Sequence, residues 1–476
     1  MNVLLISTYE LGRQPFGLAS PTAWLREAGH TVTQLDLSRQ RLNDAEAAGA
    51  VRDAQLICFY LPMHAATRLA LPVIARVRAL NPAAGLCAFG LYAPLNAELL
   101  RDAGVATIIG GEFESQLLKL AQAVGGNGAR SVSPPDASPP DIFLDRLRFR
   151  VPDRAGLPAL AEYARLRMPD GSLRTVGYTE ASRGCKHLCR HCPVVNVYNG
   201  KFFIVQREIV LEDIRRQVVH GAQHITFGDP DFFNGPTHAL EIVRALHREF
   251  PGVTYDATIK IEHLLQHAGL VPELRATGCA FVVSAVESLD DAVLARLEKH
   301  HTRAGFLRAV ALMRSAGLPL SPTFIPFTPW TTLASYCEML ATLAELDLVE
   351  HIAPVQLAIR LLIPAASRLL ELEEVRALVG EFDRAKLAYP WQHLDPRVDE
   401  LQREVEAVVA LGSTHLGSTH LGSTHEDAEH DVQRGAVFAA VRELVQDPAL
   451  KEAPAWQVAP LPARATIPYL TEPWYC

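Results

Sequence analysis

Three cysteines within eight residues are the part of this sequence best suited to chemistry. Cys185, Cys189 and Cys192 have the spacing C-x-x-x-C-x-x-C and directly follow a predicted strand. Three thiolates on one loop can bind three irons of a 4Fe–4S cubane. The fourth iron then lacks a protein ligand and can chelate the amino and carboxylate groups of a methionine. Gly184 permits the turn into this loop.

The same cysteines also suit a zinc ion. His187 or His191 would complete a tetrahedral site of three cysteines and one histidine. The position of the cysteines at the carboxyl end of the first of six βα units favours the cluster, because active-site loops follow the strands in such folds. The other five cysteines are scattered: Cys58, Cys87, Cys279, Cys337 and Cys476. The first three of these lie in apolar segments typical of buried residues.

Composition indicates a globular protein of several units. The chain has 476 residues, of which 49% are hydrophobic and 21% charged, and this length suggests two to four units. The net charge is 45 − 53 = −8, which argues against nucleic acid as a partner. The first six residues carry no basic segment of a secretory signal, and no apolar run is long enough to span a bilayer. We therefore expect a cytoplasmic location and no membrane partner.

Residues 1–123 alternate short apolar runs with helical patterns, so the fold class is α/β. The pattern predicts a doubly wound domain with a parallel sheet, whose ligand would lie beyond the carboxyl ends of the strands. The predicted strands are Val3–Ser7, Thr31–Leu35, Leu56–Tyr60, Gly85–Phe89 and Ala106–Ile109.

Residues 124–173, rich in Gly, Ser and Pro, are predicted as a linker. Residues 174–370 alternate again and predict a partial (β/α)6 barrel with its chemistry at the carboxyl ends of the strands. The six predicted strands are Thr175–Thr179, His224–Phe227, Thr254–Ile259, Ala280–Ser284, Leu320–Phe324 and Val355–Ile359.

Residues 371–453 form a predicted helical region, and residues 454–476 an extended tail. Leu-Gly-Ser-Thr-His occurs three times between Leu411 and His425. The repeat suits either metal binding through His415, His420 and His425 or a disordered, expanded loop.

The cysteine motif, in spacing and position, resembles that of the radical S-adenosylmethionine (SAM) superfamily. The resemblance covers about residues 174–362 and implies a 4Fe–4S cluster, reductive cleavage of SAM and a reductant such as flavodoxin or ferredoxin. One departure is His191, which stands where the family usually has an aromatic residue.

The resemblance also implies a set of SAM contacts after later strands. Gly228, Asp229 and Asp231 occupy the place of the family's Gly-Gly-Glu element, although a turn and a helix start would need the same residues. Ser284 and Glu287 follow the fourth strand, where Glu287 resembles the ribose-binding acid. We expect Arg360, in preference to Lys260, to bind the methionine carboxylate, because an arginine guanidinium can donate two parallel hydrogen bonds to a carboxylate.

A doubly wound domain before such a barrel resembles the cobalamin-binding domain of one subgroup of the superfamily. Gly110-Gly111-Glu112 follows the last strand, as a similar loop does in that subgroup, so Gly111 and Glu112 are the expected cobalamin contacts. The sequence has no Asp-x-His-x-x-Gly motif, and His64 stands in a different context. Cobalamin would therefore bind without a histidine ligand, or the domain would serve assembly or substrate binding.

The ending Thr471-Glu472-Pro473-Trp474-Tyr475-Cys476 resembles that of the CUAEP/CCAEP-tail radical SAM proteins. In that family the tail continues as Cys-Cys-Ala-Glu-Pro or carries selenocysteine at the second place. We hypothesise that a selenocysteine codon after Cys476 was read as a stop, which would make the protein a selenoprotein.

The sequence therefore predicts a radical SAM enzyme that modifies a small molecule or a peptide, by cobalamin-assisted methylation if cobalamin binds. One alternative is an enzyme similar to tRNA methylthiotransferases, whose N-terminal domain carries its own cysteine triad. Another is a zinc-stabilised binding protein without catalytic activity.

Overall fold

The structure, a computed structural model, describes residues 1–125, 141–417, 433–445 and 467–471. It contains two large sheets, one in each half of the chain. None of the helices in these ranges is both long and apolar enough to cross a membrane.

The N-terminal sheet has six parallel strands in the order β2-β1-β3-β4-β5-β6. Two separate apolar clusters cover its two faces, as a doubly wound sheet requires. Its strands are β1 (Asn2–Ser7), β2 (Thr31–Asp36), β3 (Leu56–Tyr60), β4 (Gly85–Phe89), β5 (Thr107–Gly111) and β6 (Asp141–Phe143), and its helices are α1 (Phe16–Glu27), α2 (Ala45–Asp53), α3 (His64–Leu80), α4 (Ala97–Asp102) and α5 (Glu114–Gly125).

The predicted linker is wrong in part, because residues within 124–173 belong to both sheets. Strand β6 joins the first sheet, where the Phe143 carbonyl accepts a hydrogen bond from the Glu112 amide at 2.7 Å. The next strand, β7 (Arg165–Arg167), pairs antiparallel with the first barrel strand. The apolar side chains of Phe143 and Leu166 explain why these segments are drawn into sheets.

The second sheet has the order β14-β13-β12-β11-β8-β7-β15, with β8 and β11 to β14 parallel and curled into a partial barrel. Between β9 and β10, which pair antiparallel, lies the loop that carries the three cysteines. The remaining elements of this half are β8 (Leu173–Thr179), β9 (Ser182–Gly184), α6 (Pro193–Tyr198), β10 (Phe202–Ile204), α7 (Arg207–Val219), β11 (His224–Phe227), α8 (Pro236–Glu249), β12 (Thr254–Thr258), α9 (Ile261–Gln266), α10 (Val271–Ala276), β13 (Cys279–Glu287), α11 (Asp291–Arg296), α12 (Arg303–Ser315), β14 (Leu320–Phe324) and α13 (Leu333–Glu345).

The sixth predicted barrel strand, Val355–Ile359, is wrong. A 3-10 helix occupies Pro354–Leu357, and only one parallel bridge, between Phe327 and Arg360, follows it. The side-chain oxygen of Gln356 accepts the Phe324 amide at 2.9 Å, so a side chain rather than a strand satisfies the edge of β14.

The C-terminal part packs helices against the open side of the barrel. They are α14 (Glu373–Leu378), α15 (Pro396–Gly417) and α16 (Gln433–Val445), and Val405 and Val441 bury their side chains in the main core. In the predicted tail, β15 (Tyr469–Leu470) pairs antiparallel with β7. His420, His425, most of the tail and Cys476 lie outside the described residues, and so the repeat and selenocysteine hypotheses stay predictions.

Candidate functional site

The cysteine loop begins where the first barrel strand ends. Gly184 has a φ of +74°, and a Cβ there would collide with the Lys201 carbonyl, so only glycine suits this entry to the loop. Cys185 and Cys189 are buried, and Cys192 is half-buried at the start of α6. The Cys192 amide donates to the Cys189 carbonyl at 3.1 Å, which closes the loop on itself.

The environment of these thiols favours their neutral form in the absence of a metal. Burial, together with the neighbouring Cys189, raises the pKa of Cys192 to about 12, and burial also raises the pKa of Cys185. Thiolates are the metal-binding form, so ligation by these residues would depend on the positive charge of the metal to offset this shift. Nζ of Lys260 lies 3.9 Å from Sγ of Cys189, which adds positive charge beside the loop.

Within the described residues, the cysteines and histidines of the loop do not form a compact site for a single zinc ion. One zinc ion with Zn–S bonds of about 2.3 Å holds its sulfurs about 3.8 Å apart. Among the residues that the structure describes, the one compact group of candidate ligands is His187, Asp231 and His263, and it contains no cysteine. Nor do the loop histidines complete a zinc site, because His187 faces Asp231 and Glu262.

A strained, charged glutamate faces the loop from β13. Glu287 has a φ of +67°, a conformation that non-glycine residues adopt at a cost. Its Oε1 lies 3.1 Å from Nε2 of His191 and 3.2 Å from Nζ of Lys299. Burial opposes its ionisation, but Lys299 and His191 outweigh burial and lower the pKa of Glu287 to about 2. A carboxylate held ionised at this edge of the barrel can accept hydroxyl groups.

The loop after β11 supports the start of the cysteine loop. Asp229 accepts hydrogen bonds from the Ala181 amide at 2.9 Å and from the Ser182 hydroxyl. Burial raises the pKa of Asp229 to about 7. Gly228 is required because a Cβ would collide with the Tyr178 hydroxyl. Asp229 and Gly228 therefore stabilise the start of the cysteine loop and its packing, in addition to the SAM contacts predicted for them.

Of the other predicted SAM contacts, two lie in or directly after barrel strands and one lies elsewhere. Ser284 is buried in β13, and its hydroxyl makes no hydrogen bond within the described ranges. Asp231 follows β11 and is fully buried. Arg360 lies elsewhere: its guanidinium contacts Asp399 at 2.7 Å and stacks on Trp391 at 3.5 Å. Lys260, which the sequence ranked second, is therefore the cation beside the cysteines.

A buried ion network joins the N-terminal domain to the cysteine loop. The guanidinium of Arg183, two residues before Cys185, contacts Glu112 at 3.2 Å, Glu114 at 2.7 and 2.9 Å and Glu180 at 2.7 Å. Glu112 also accepts the Tyr198 hydroxyl at 3.1 Å. The carboxylate predicted to contact cobalamin is thus engaged in this network. Gly111 is required for the close approach of the Phe143 carbonyl.

Three buried polar atoms lie at the switch point of the N-terminal sheet, between β1 and β3. Ser7 Oγ lies at the end of β1, Glu10 Oε2 follows β1, and His64 Nδ1 follows β3. None of these atoms makes a hydrogen bond to a residue in the described ranges. Doubly wound sheets bind their ligands at this point. His64 is also held through Nε2, which lies 2.7 Å from the Lys386 carbonyl. Such atoms suit a ligand with many amide groups.

The profile of the radical SAM superfamily matches residues 179–342, which contain the cysteine loop and Glu287. The protein carries a radical SAM domain. This confirms the identification made from the cysteine motif, and such a domain implies a 4Fe–4S cluster and SAM as cofactors.

The chain is similar in sequence to hopanoid C-3 methylase of Methylococcus capsulatus. The two are 24% identical over 335 residues, which cover 69% of this chain and 64% of the methylase, so the match spans less than two thirds of that relative. In fold it is similar to the cobalamin-dependent SAM radical enzyme OxsB with aqua-cobalamin bound. That match has a TM-score of 0.69 at 14% identity and covers 95% of this chain and 74% of OxsB.

A second similar fold is TsrM, a radical SAM methyltransferase from Kitasatospora setae with cobalamin and a 4Fe–4S cluster bound. The TM-score is 0.62 at 15% identity, and the match covers 93% of this chain and 99% of TsrM. The fold class predicted from the sequence is confirmed.

Sequence reasoning missed three functional contributors. Lys299 and Arg183 meet their carboxylate partners only through folding, and nothing in the local sequence distinguishes either residue from a surface cation. His263 lies on α9, and no motif marks it.

Proposed function

We propose that this protein cleaves SAM reductively and uses cobalamin to methylate a small molecule or a peptide. The observation that carries the proposal is the arrangement of Cys185, Cys189 and Cys192 beside Lys260 and Glu287 at the carboxyl ends of parallel strands. When bound, the cluster supplies the electron that breaks the sulfonium bond of SAM and gives a deoxyadenosyl radical. The residues of the chain bind and orient the substrate and exclude water.

The charges around the cysteines suit the parts of SAM. Lys260 offers an ammonium group to the methionine carboxylate. Glu287, whose contacts to His191 and Lys299 both use Oε1, presents a carboxylate to the ribose hydroxyls, and Ser284 adds a buried hydroxyl. Gly228 and Asp229 form the loop expected at the methionine amino group. Arg360 is assigned to packing against the C-terminal helices.

Cobalamin would lie between the N-terminal sheet and the barrel. When bound, it carries the methyl group to be transferred. Ser7, Glu10 and His64 would meet its amide groups, and the Gly111–Glu112 loop lies along the same edge of the sheet. The Arg183 network would then fix this edge to the cysteine loop.

The test is anaerobic reconstitution with iron and sulfide, followed by reductant, SAM and an assay for deoxyadenosine. We expect cluster iron and deoxyadenosine in the wild type and loss of both in Cys189→Ala. The matched control is Cys58→Ala, since Cys58 is buried in β3 and has no metal role. Absence of both iron and cleavage in the wild type would contradict the proposal. Hydroxocobalamin retained after gel filtration tests the second cofactor, with Ser7→Ala and His64→Ala expected to weaken retention.

A further inference from the structure

We propose that His187, Asp231 and His263 form a second metal site, which binds one divalent first-row transition ion beside the cysteine loop. Nδ1 of His263 lies 2.7 Å from Oδ2 of Asp231, and Nε2 of His187 lies 3.6 Å from the same oxygen. One ligand atom from each residue lies within 4.8 Å of the other two. These distances place three donor atoms around one point.

Hydrogen bonding does not account for this cluster. Oδ1 of Asp231 accepts the Phe233 amide at 3.2 Å. Oδ2 of Asp231 and Nδ1 of His263 are 2.7 Å apart but are not aligned as a hydrogen bond. Within the described ranges neither atom has another hydrogen-bond partner, and Nε2 of His187 has none. Asp231 is fully buried. Each buried polar atom left unsatisfied destabilises the folded chain. A cation shared by all three atoms removes that cost at once.

The fold brings the three ligands together from separate elements. His187 lies in the cysteine loop, Asp231 follows β11, and His263 lies on α9 after the neighbouring strand β12. The short helix α9 ends at Gln266, three residues after His263. Because β11 and β12 are parallel neighbours, their following loops converge at one edge of the barrel.

The ligand set defines the class of metal. Two imidazoles and one carboxylate suit zinc, iron(II), cobalt(II) or manganese(II), and three protein ligands leave coordination positions open. Oε2 of Glu262 lies 3.5 Å from Nδ1 of His187. A carboxylate at the second ring nitrogen orients a metal-bound imidazole and raises its basicity.

The proposed ion is distinct from the iron–sulfur cluster, since it uses none of the three cysteines. It competes with one expectation from the sequence, that Asp231 binds the methionine amino group of SAM. An ammonium group would engage the carboxylate alone, whereas an ion needs both histidines as well. Substitution of His263 separates the two assignments.

The experiment measures zinc in the full-length protein after anaerobic cluster reconstitution, which blocks the cysteines. Zinc is then added, the excess is removed by gel filtration, and both metals are counted by elemental analysis. We expect one zinc per chain beyond the cluster iron. Asp231→Asn and His263→Gln should each lower zinc at least tenfold with iron unchanged. His267→Gln is the matched control, because His267 is near His263 but outside the ligand group.

Two results would overturn the inference: no zinc above background in the wild type, or equal zinc in the wild type, Asp231→Asn and His263→Gln. If Asp231→Asn also loses iron, His263→Gln decides, since His263 lies outside the cysteine loop. The same titration on the full chain with all three cysteines replaced by serine counts zinc without a cluster. A failure of the cluster proposal is thereby distinguished from a failure of this one.

Discussion

Replacing Arg183 by methionine should lower the free energy of unfolding by about 3–5 kcal/mol at pH 7, as removal of one partner from a buried ion pair does. The guanidinium makes four contacts of 2.7–3.2 Å to Glu112, Glu114 and Glu180, and the side chain is 6% exposed. Methionine keeps the aliphatic part of the side chain but leaves the buried Glu112 and Glu114 and the half-buried Glu180 without this cation.

Proton uptake by the glutamates limits the loss in free energy of unfolding. Four charge-assisted hydrogen bonds at about 1.5–3 kcal/mol each would suggest a larger value. Burial, however, already raises the pKa of Glu112 to about 7, with Arg183 opposing this shift and Glu114 adding to it. For comparison, protonating an exposed glutamate of pKa about 4.3 costs about 3.7 kcal/mol at pH 7 and about 1 kcal/mol at pH 5. The loss in Arg183→Met should therefore shrink by about 2–3 kcal/mol at pH 5.

The assay is urea unfolding of the apo chain at both pH values. The matched control is Arg207→Met, because Arg207 pairs with Glu208 and Glu241 at the exposed surface and should contribute less than about 1 kcal/mol. The reasoning would be refuted by losses in the two variants within about 1 kcal/mol of each other at pH 7. An Arg183→Met loss that is independent of pH would refute the proton-uptake argument alone.

Three further predictions concern charged residues of the ion network and of the predicted SAM site. Because the pKa of Glu112 is raised to about 7 in the folded chain, protonated Glu112 stabilises the fold fully below about pH 4.5, and this stabilisation is lost as pH rises through 7. Glu112→Gln should remove this pH dependence of the free energy of unfolding, which amounts to up to about 3 kcal/mol in urea unfolding. An unchanged pH dependence in the variant would contradict the prediction. Glu287→Gln should retain cluster iron but weaken SAM binding at least tenfold in equilibrium dialysis, since Lys299 and His191 lose their anionic partner; unchanged binding would remove Glu287 from the SAM site. Lys260→Met should likewise weaken SAM binding, whereas Arg360→Met should lower thermal stability and leave SAM binding intact, and the opposite result would restore Arg360 to the site.

The regular elements could be predicted from the sequence because their patterns are local. Strands β3, β4, β11 and β14 have the bounds that their apolar runs predicted. The predicted sixth strand, Val355–Ile359, is as apolar as the others, but Gln356 satisfies the edge of β14 with its side chain. A hydrogen bond between residues 32 positions apart leaves no trace in local periodicity.

The cysteine ligands could be predicted for the same reason, since a spacing within eight residues is a local property. The charged residues that contact the site could not be predicted from the sequence. Lys299 meets Glu287 across 12 residues, Lys260 meets Cys189 across 71, and Arg183 meets Glu114 across 69. A sequence shows which cations exist but not which are buried, and burial decides whether an ion pair matters.

The polar residues between and beside the cysteines connect the loop to three different surroundings. Arg183 is fixed by the carboxylates of the N-terminal domain, His187 faces Asp231 and Glu262, and His191 contacts Glu287. A ligand bound to any of these surroundings therefore acts on the same short loop. Because the three connections use different side chains, their effects on cluster iron, zinc content and SAM binding can be separated by single substitutions. A change in the N-terminal domain that altered SAM cleavage only while Arg183 was present would identify this ion network as the link between the two halves of the protein.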